Sequence, residues 1–137
     1  MVTREDVESF VLRTGLDSQE VEEGMWLIRG NGSAPPVVVH YSPPLLVFRL
    51  KVMDLPGDEK RCAELFRKLL VLNATDLVHA AYGLEQGDVI LTESLEVENL
   101  DFNEFQATID SFQMALASHM EPLAPYRDCR EPTSAPA

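Results

Sequence analysis

The residues in this chain that can do chemistry are spread along it and do not converge. His40, His79 and His119 are separated by long stretches, and none is followed within one helical turn by another histidine or a cysteine. A zinc or di-iron site needs several ligands at such spacings, so each histidine reads as a structural or surface residue. Cys62 and Cys129 form no C-x-x-C pair, and reduced thiols are expected in a chain that opens with no export signal. No G-x-S-x-G elbow is present, and Ser94 and Ser111 fall inside regular elements. Gly30-Asn31-Gly32 follows a strand but precedes prolines and another strand, so no helix N-terminus stands ready to hold a phosphate. Glu93 and Glu96 form an acid pair in spacing only. A carboxylate needs burial or a charged neighbour before it becomes an acid or base at neutral pH, and here the reading is a solvated acidic face. The expectation is a non-catalytic chain with no metal and no cofactor.

Charge narrows the partners. The 137 residues carry a formal net charge of −12, and residues 73–137 alone hold twelve acidic against two basic residues. Such a surface repels nucleic acid and anionic membrane. The one basic stretch is Arg49, Lys51, Lys60, Arg61, Arg67 and Lys68, and it reads as solvated positions balancing acidic neighbours. The longest apolar run, Pro43 to Phe48, is strand-sized, far short of the ~20 residues that span a bilayer. The opening MVTREDVESF lacks a basic segment followed by an apolar one, so a cytoplasmic location is expected, without membrane insertion.

The elements that position these residues follow from periodicity. Thr3 and Asp6 cap a first helix over residues 4–14, with Val7, Phe10 and Val11 at helical spacing and Gly15 to end it. Leu16 to Glu23 reads as a polar connector. Met25–Arg29, Val37–Tyr41 and Leu45–Met53 read as strands, the last with Phe48, Leu50 and Val52 on one face and Arg49 and Lys51 on the other. Asp58 caps a middle helix in which Cys62, Leu65, Phe66, Leu69 and Leu70 form an apolar stripe. Val71 and Leu72 add apolar residues beyond that stripe, which implies burial on two sides or a helix shared with another subunit. Residues 77–84 and 88–96 read as a hairpin around Glu85-Gln86-Gly87-Asp88. Asp101 and Glu104 open a last helix with Phe105, Ile109, Phe112, Leu116 and Met120 on one side, ended by Pro122 and Pro125. The fold class is α+β, in the order α-β-β-β-α-β-β-α, with an antiparallel-rich sheet covered by helices. One domain is expected over residues 1–123, followed by a disordered tail over 124–137.

The stretch from Asp58 to Asp101 carries a resemblance. Ala63-Glu64-Leu65-Phe66-Arg67-Lys68-Leu69-Leu70-Val71-Leu72-Asn73, then Ala81-Tyr82-Gly83-Leu84, then Gly87-Asp88-Val89-Ile90-Leu91 resemble the YbjN-like family, with Leu95, Leu100, Asp101 and Phe105 continuing the match. That family is similar in fold to the class I type III secretion chaperones of the Tir-chaperone type. The resemblance implies a homodimer without catalytic residues, which holds unfolded segments of a client protein along apolar patches. Its YbjN-like members are loosely described as sensory-transduction regulators.

Together these readings predict a protein-binding module, chaperone-like or scaffolding, with a protein client as partner. The alternative is a regulatory or sensory domain that takes a small ligand in the sheet–helix groove. Trp26, Tyr41, Phe48 and Leu50 are the candidate partner contacts, since large side chains dominate interfaces. Leu65, Phe66, Leu69 and Leu70 are the candidates for the core or a dimer interface.

Overall fold

A capping box starts the chain's first element. Thr3 Oγ1 accepts from the Asp6 N–H at 3.2 Å, and the Asp6 carboxylate accepts from the Thr3 N–H at 2.9 Å. The computed structural model describes residues 1–30 and 34–128. From this cap the order is α1 (Arg4–Arg13), β1 (Asp17–Glu22), β2 (Met25–Arg29), β3 (Val37–Ser42), β4 (Leu45–Asp54), α2 (Glu59–Thr75), β5 (Ala81–Glu85), β6 (Asp88–Glu96) and α3 (Phe102–Asp128). The strands form one six-stranded sheet in the order β1-β2-β3-β4-β6-β5, with every neighbouring pair antiparallel. The expected α+β class stands, with one strand more than the sequence pattern predicts.

That extra strand is β1, which the sequence pattern reads as a connector. Its residues DSQEVE include no buried side chain, so there is no apolar alternation to find. Backbone pairing with β2 makes it a strand, and an ion pair holds its end. Glu20 accepts from the Arg4 guanidinium at 2.6 Å and from the Gly24 N–H at 2.9 Å. Three further boundaries differ. α2 runs through Asn73 to Thr75, so the following strand begins at Ala81 and Leu77–Ala80 is a link. A bulge between Lys51 and Met53 breaks the β4 alternation, so Met53 rather than Val52 is buried. α3 passes through Pro122 and Pro125 to Asp128. Each proline forfeits a helix hydrogen bond. Burial of Leu123, packing of Tyr126 on the core, and Arg61 donating to the Pro125 carbonyl at 3.2 Å hold the last turns in place. Residues 124–128 of the expected tail are therefore helical, while 129–137, with Cys129, lie outside the described residues, as do Asn31 and Gly32 of the glycine-containing loop.

The β5–β6 turn is tighter than a four-residue loop. Glu85 pairs with Asp88, leaving Gln86 and Gly87 as a two-residue connection, both at positive φ (51° and 86°). That geometry suits the twist of the flanking strands and favours glycine at the second position.

All three helices lie against one face of the sheet. Phe48 of β4 meets Phe105 and Phe112 of α3 at ring separations of 5.4 and 6.3 Å, and Phe10 of α1 meets Phe105 at 5.7 Å. Trp26, Ile28, Val39, Leu46, Leu50, Val89 and Leu91 complete the buried face of the strands. On α2 the buried stripe is Leu65, Leu69 and Leu72. Each of these side chains contributes ~1.5–3 kcal/mol by leaving water. Among the described residues no helix is long and apolar enough to cross a membrane.

Leu69→Asp is expected to unfold the chain, because an unpaired charge at that buried position costs several kcal/mol against a total stability of ~5–15. Leu70→Asp, at a position 68% exposed, is expected to leave the far-ultraviolet circular dichroism unchanged.

Candidate functional site

The four residues singled out as partner contacts do not form a surface. Trp26, Phe48 and Leu50 are 2%, 0% and 1% exposed, so they are core residues of the helix-covered face. Tyr41 is half-buried, and its hydroxyl donates to the Val2 carbonyl at 2.9 Å, pinning the N-terminus to β3. Of the α2 candidates, Leu65 and Leu69 are buried, Phe66 is half-buried and Leu70 points to solvent.

Two other apolar surfaces take their place. The first is the sheet face that no helix covers among the described residues. Strand register puts Met25 and Leu27 of β2, Val38 of β3 and Val47 of β4 on it, with Leu27 opposite Val38, and His40 between Met25 and Val47. These four apolar residues are half-buried and stand apart from the core cluster. An open antiparallel face is ordinarily polar. This one has an apolar centre, and beside it Arg49 and Lys51 pair with Glu85, Asp54 and Asp88. Sequence reasoning passed over it because MWLIR is apolar at every position but the last, so the strand's covered face hid the open one.

The second surface lies along α2 and the strand at its side. Leu70 and Val71 on α2, Val78 in the link and Leu84 on β5 are 68%, 52%, 79% and 51% exposed. The expected burial of α2 on two sides is not found within the chain: Leu72 turns inward while Leu70 and Val71 turn out.

The edges of the sheet are blunted. β1 carries Asp17, Glu20 and Glu22, and acidic edges resist pairing. β5 is less charged, but Asn73 of α2 brackets its outer side. The Asn73 side chain accepts from the Tyr82 N–H at 2.7 Å and donates to the Tyr82 carbonyl at 3.2 Å. An amide side chain thus takes the place that a seventh strand would occupy at Tyr82.

One buried polar chain has the look of catalytic machinery. The Tyr82 hydroxyl donates to His119 Nδ1 at 2.7 Å, and His119 Nε2 donates to the Asp76 carboxylate at 3.1 Å. The Nε2–H tautomer follows because an ionised carboxylate only accepts. The hydrogen bond from His119, helped by Thr75, holds Asp76 below the ordinary carboxylate range, and burial pushes the Tyr82 phenol well above its own. A phenol so hard to ionise is no nucleophile at neutral pH. The chain instead ties the C-terminal end of α2 to β5 and α3. Nor do the described residues hold any group of three or more His, Cys, Asp or Glu able to bind a metal. Cys62, half-buried, gives its thiol to the Pro56 carbonyl at 3.1 Å.

Tyr82→Phe leaves His119 Nδ1 buried without its donor and is expected to cost about 1–3 kcal/mol in urea denaturation. Asp6, Glu20 and Asp76 are all lowered by hydrogen bonds in the folded state. Groups of this kind stabilise above their unfolded pKa, about 4, and that stability is lost as pH falls through the lower folded values. The melting temperature is therefore expected to drop below about pH 4, and Asp76→Asn to flatten that drop.

Comparison with known proteins agrees with this geometry. Chains in the solved structures share the fold at low identity. A chain of the ExoU–SpcU heterodimeric complex from the type III secretion system of Pseudomonas aeruginosa has a TM-score of 0.65 at 12% identity, covering 82% of this chain and 93% of that one. A chain from the complex of the Yersinia pestis type III secretion chaperone SycH with a fragment of YscM2 has 0.61 at 15%, covering 85% and 98%. YbjN from E. coli has 0.63 at 9%, covering 88% and 96%. No curated protein sequence matches the chain. The CesT_Tir_1 family model matches residues 2–128, nearly the whole of the described structure, and the chain belongs to that family of type III chaperones.

Proposed function

We propose that this chain is a non-catalytic, chaperone-like module that forms a homodimer and holds a protein client against its uncovered sheet face. The observation that carries the reading is the one-sided sheet. The chain supplies helices for one face and leaves the apolar Met25, Leu27, Val38 and Val47 only half-buried on the other. Contiguous exposed apolar surface marks interaction sites in soluble proteins. Family membership supports the reading, as do similar structures that are themselves named as complexes of a chaperone with an effector or a protein fragment. With both edges blunted, a client meets side chains of the face, not the strand backbone.

The dimer uses the second surface. Leu70, Val71, Val78 and Leu84 lie together at one side of the fold, and an isologous contact buries each of them twice. A location in the aqueous interior of the cell fits a module of this charge and composition.

Two variants separate the parts. Leu70→Asp combined with Val71→Asp is expected to turn the dimer into a folded monomer by light scattering at micromolar concentration. A wild-type chain that is strictly monomeric at that concentration contradicts the dimer. Val47→Asp is expected to keep the dimer and the melting temperature while weakening client binding at least tenfold, the effect of ~1.4 kcal/mol. Equal client binding by Val47→Asp and wild type contradicts the docking face.

A further inference from the structure

One isoleucine is buried on the open side of the sheet. Val89 and Leu91 of β6 are 0% exposed and face the helices, so Ile90 between them faces the other way. Among the described residues no helix lies there, yet Ile90 is only 8% exposed and stands outside the core cluster. It lies opposite Lys51 on β4 and Gly83 on β5, and a Cβ added to Gly83 would meet its Cγ1 at 3.9 Å. Glycine gives no wall on that flank, so the cover comes from above.

The ion pairs of the open face supply it. Arg49 on β4 lies opposite Thr92, and Glu85 on β5 lies opposite Asp88. Their 3.0 Å contact therefore crosses β6 between Thr92 and Asp88, over Ile90. Lys51, beside Ile90, reaches Asp54 at 2.8 Å and Asp88 at 3.4 Å and closes the frame. Arginine and lysine stems cover apolar surface while their charged heads stay in water. Arg49 also lies opposite Val38, so it stands between the apolar centre of the face and the strand that carries Ile90.

We propose that the Arg49–Glu85 pair is a salt-sensitive strap that hides Ile90 and confines a client to strands β2–β4. The client half rests on the docking face proposed for Met25, Leu27, Val38 and Val47; the strap itself belongs to the free chain. Exposed ion pairs are individually weak and are screened by salt, so the strap opens without unfolding. Opening it joins Ile90 to the apolar centre and carries the docking face onto β6 and β5.

The neutral apolar dye N-phenyl-1-naphthylamine tests the strap in the full chain without a client. Glu85→Ala is expected to raise its bound fluorescence roughly threefold with an unchanged circular dichroism spectrum, the effect of losing a surface ion pair. Adding Ile90→Thr is expected to remove that rise, while Ile90→Thr alone changes nothing. In ~1 M sodium chloride, where the screening length is ~3 Å, the wild type is expected to move towards the Glu85→Ala value. No rise in Glu85→Ala, or a rise that survives Ile90→Thr, overturns the strap. The footprint is read in the complex purified from native cells, by maleimide labelling of Ala81→Cys, an exposed position opposite Thr92, with Cys62 and Cys129 replaced by serine. Equal labelling in free chain and complex is expected, with protection appearing when Glu85→Ala is added. Protection of position 81 with the strap intact overturns the confinement. Failure of Val47→Asp to weaken client binding removes the client half and leaves the dye result standing.

Discussion

The ring of Phe48 is fully buried between the sheet and α3, against Phe105 and Phe112, and the architecture follows from that contact. Aromatic pairs at these separations add to an already large burial term, so the long helix and the central strand are held as one unit. α1 joins through Phe10, and α2 packs beside α3 through its Leu65, Leu69 and Leu72 stripe. Among the described residues, helices drawn to one side leave the other side of a six-stranded sheet without a cover. The open face is the direct consequence of where the chain places its aromatic residues.

That asymmetry decides which interactions remain open. A lone sheet face with Leu27, Val38 and Val47 at its centre retains a driving force for burial that the chain does not itself satisfy. The usual route for adding a polypeptide, pairing on an edge strand, is hindered at both ends by acidic residues on β1 and by Asn73 bonding to Tyr82. Blunted edges with an apolar face suit a protein that must hold another chain without polymerising. The Asp76–His119–Tyr82 chain fixes the C-terminal end of α2 against β5 and α3.

Much of this was legible from the residues. The capping pairs Thr3–Asp6 and Asp101–Glu104 lie where their types and spacing predict, since these interactions are local in sequence. The strand β4 and most of the α3 stripe follow from the spacing of apolar residues, although Met120 is 43% exposed, and the buried stripe of α2 takes Leu72 in place of Leu70. What was not legible depends on partners distant in sequence. β1 has no apolar pattern and exists through its ladder to β2 and through Arg4 holding Glu20. α3 runs past two prolines because Leu123 and Tyr126 find the core. The candidate contacts misled for a related reason. Trp26, Phe48 and Leu50 have the size of interface residues, but size does not say which face of a strand a helix will cover. Asn73 belonged to a recognisable motif, yet its task of bonding both backbone groups of Tyr82 shows only in three dimensions.

The central claim is that the uncovered face, and not the helical side, meets the client. Thiol labelling measures this directly, in a background with Cys62 and Cys129 replaced by serine. Val47→Cys on the open face and Leu12→Cys on the outer side of α1 are each treated with a maleimide, once in the chain alone and once in the complex purified from its native cells. The expected result is fast labelling of both in the free chain and protection in the complex at position 47 alone. Equal labelling at position 47 in the free and bound states, with protection at position 12, would contradict the account.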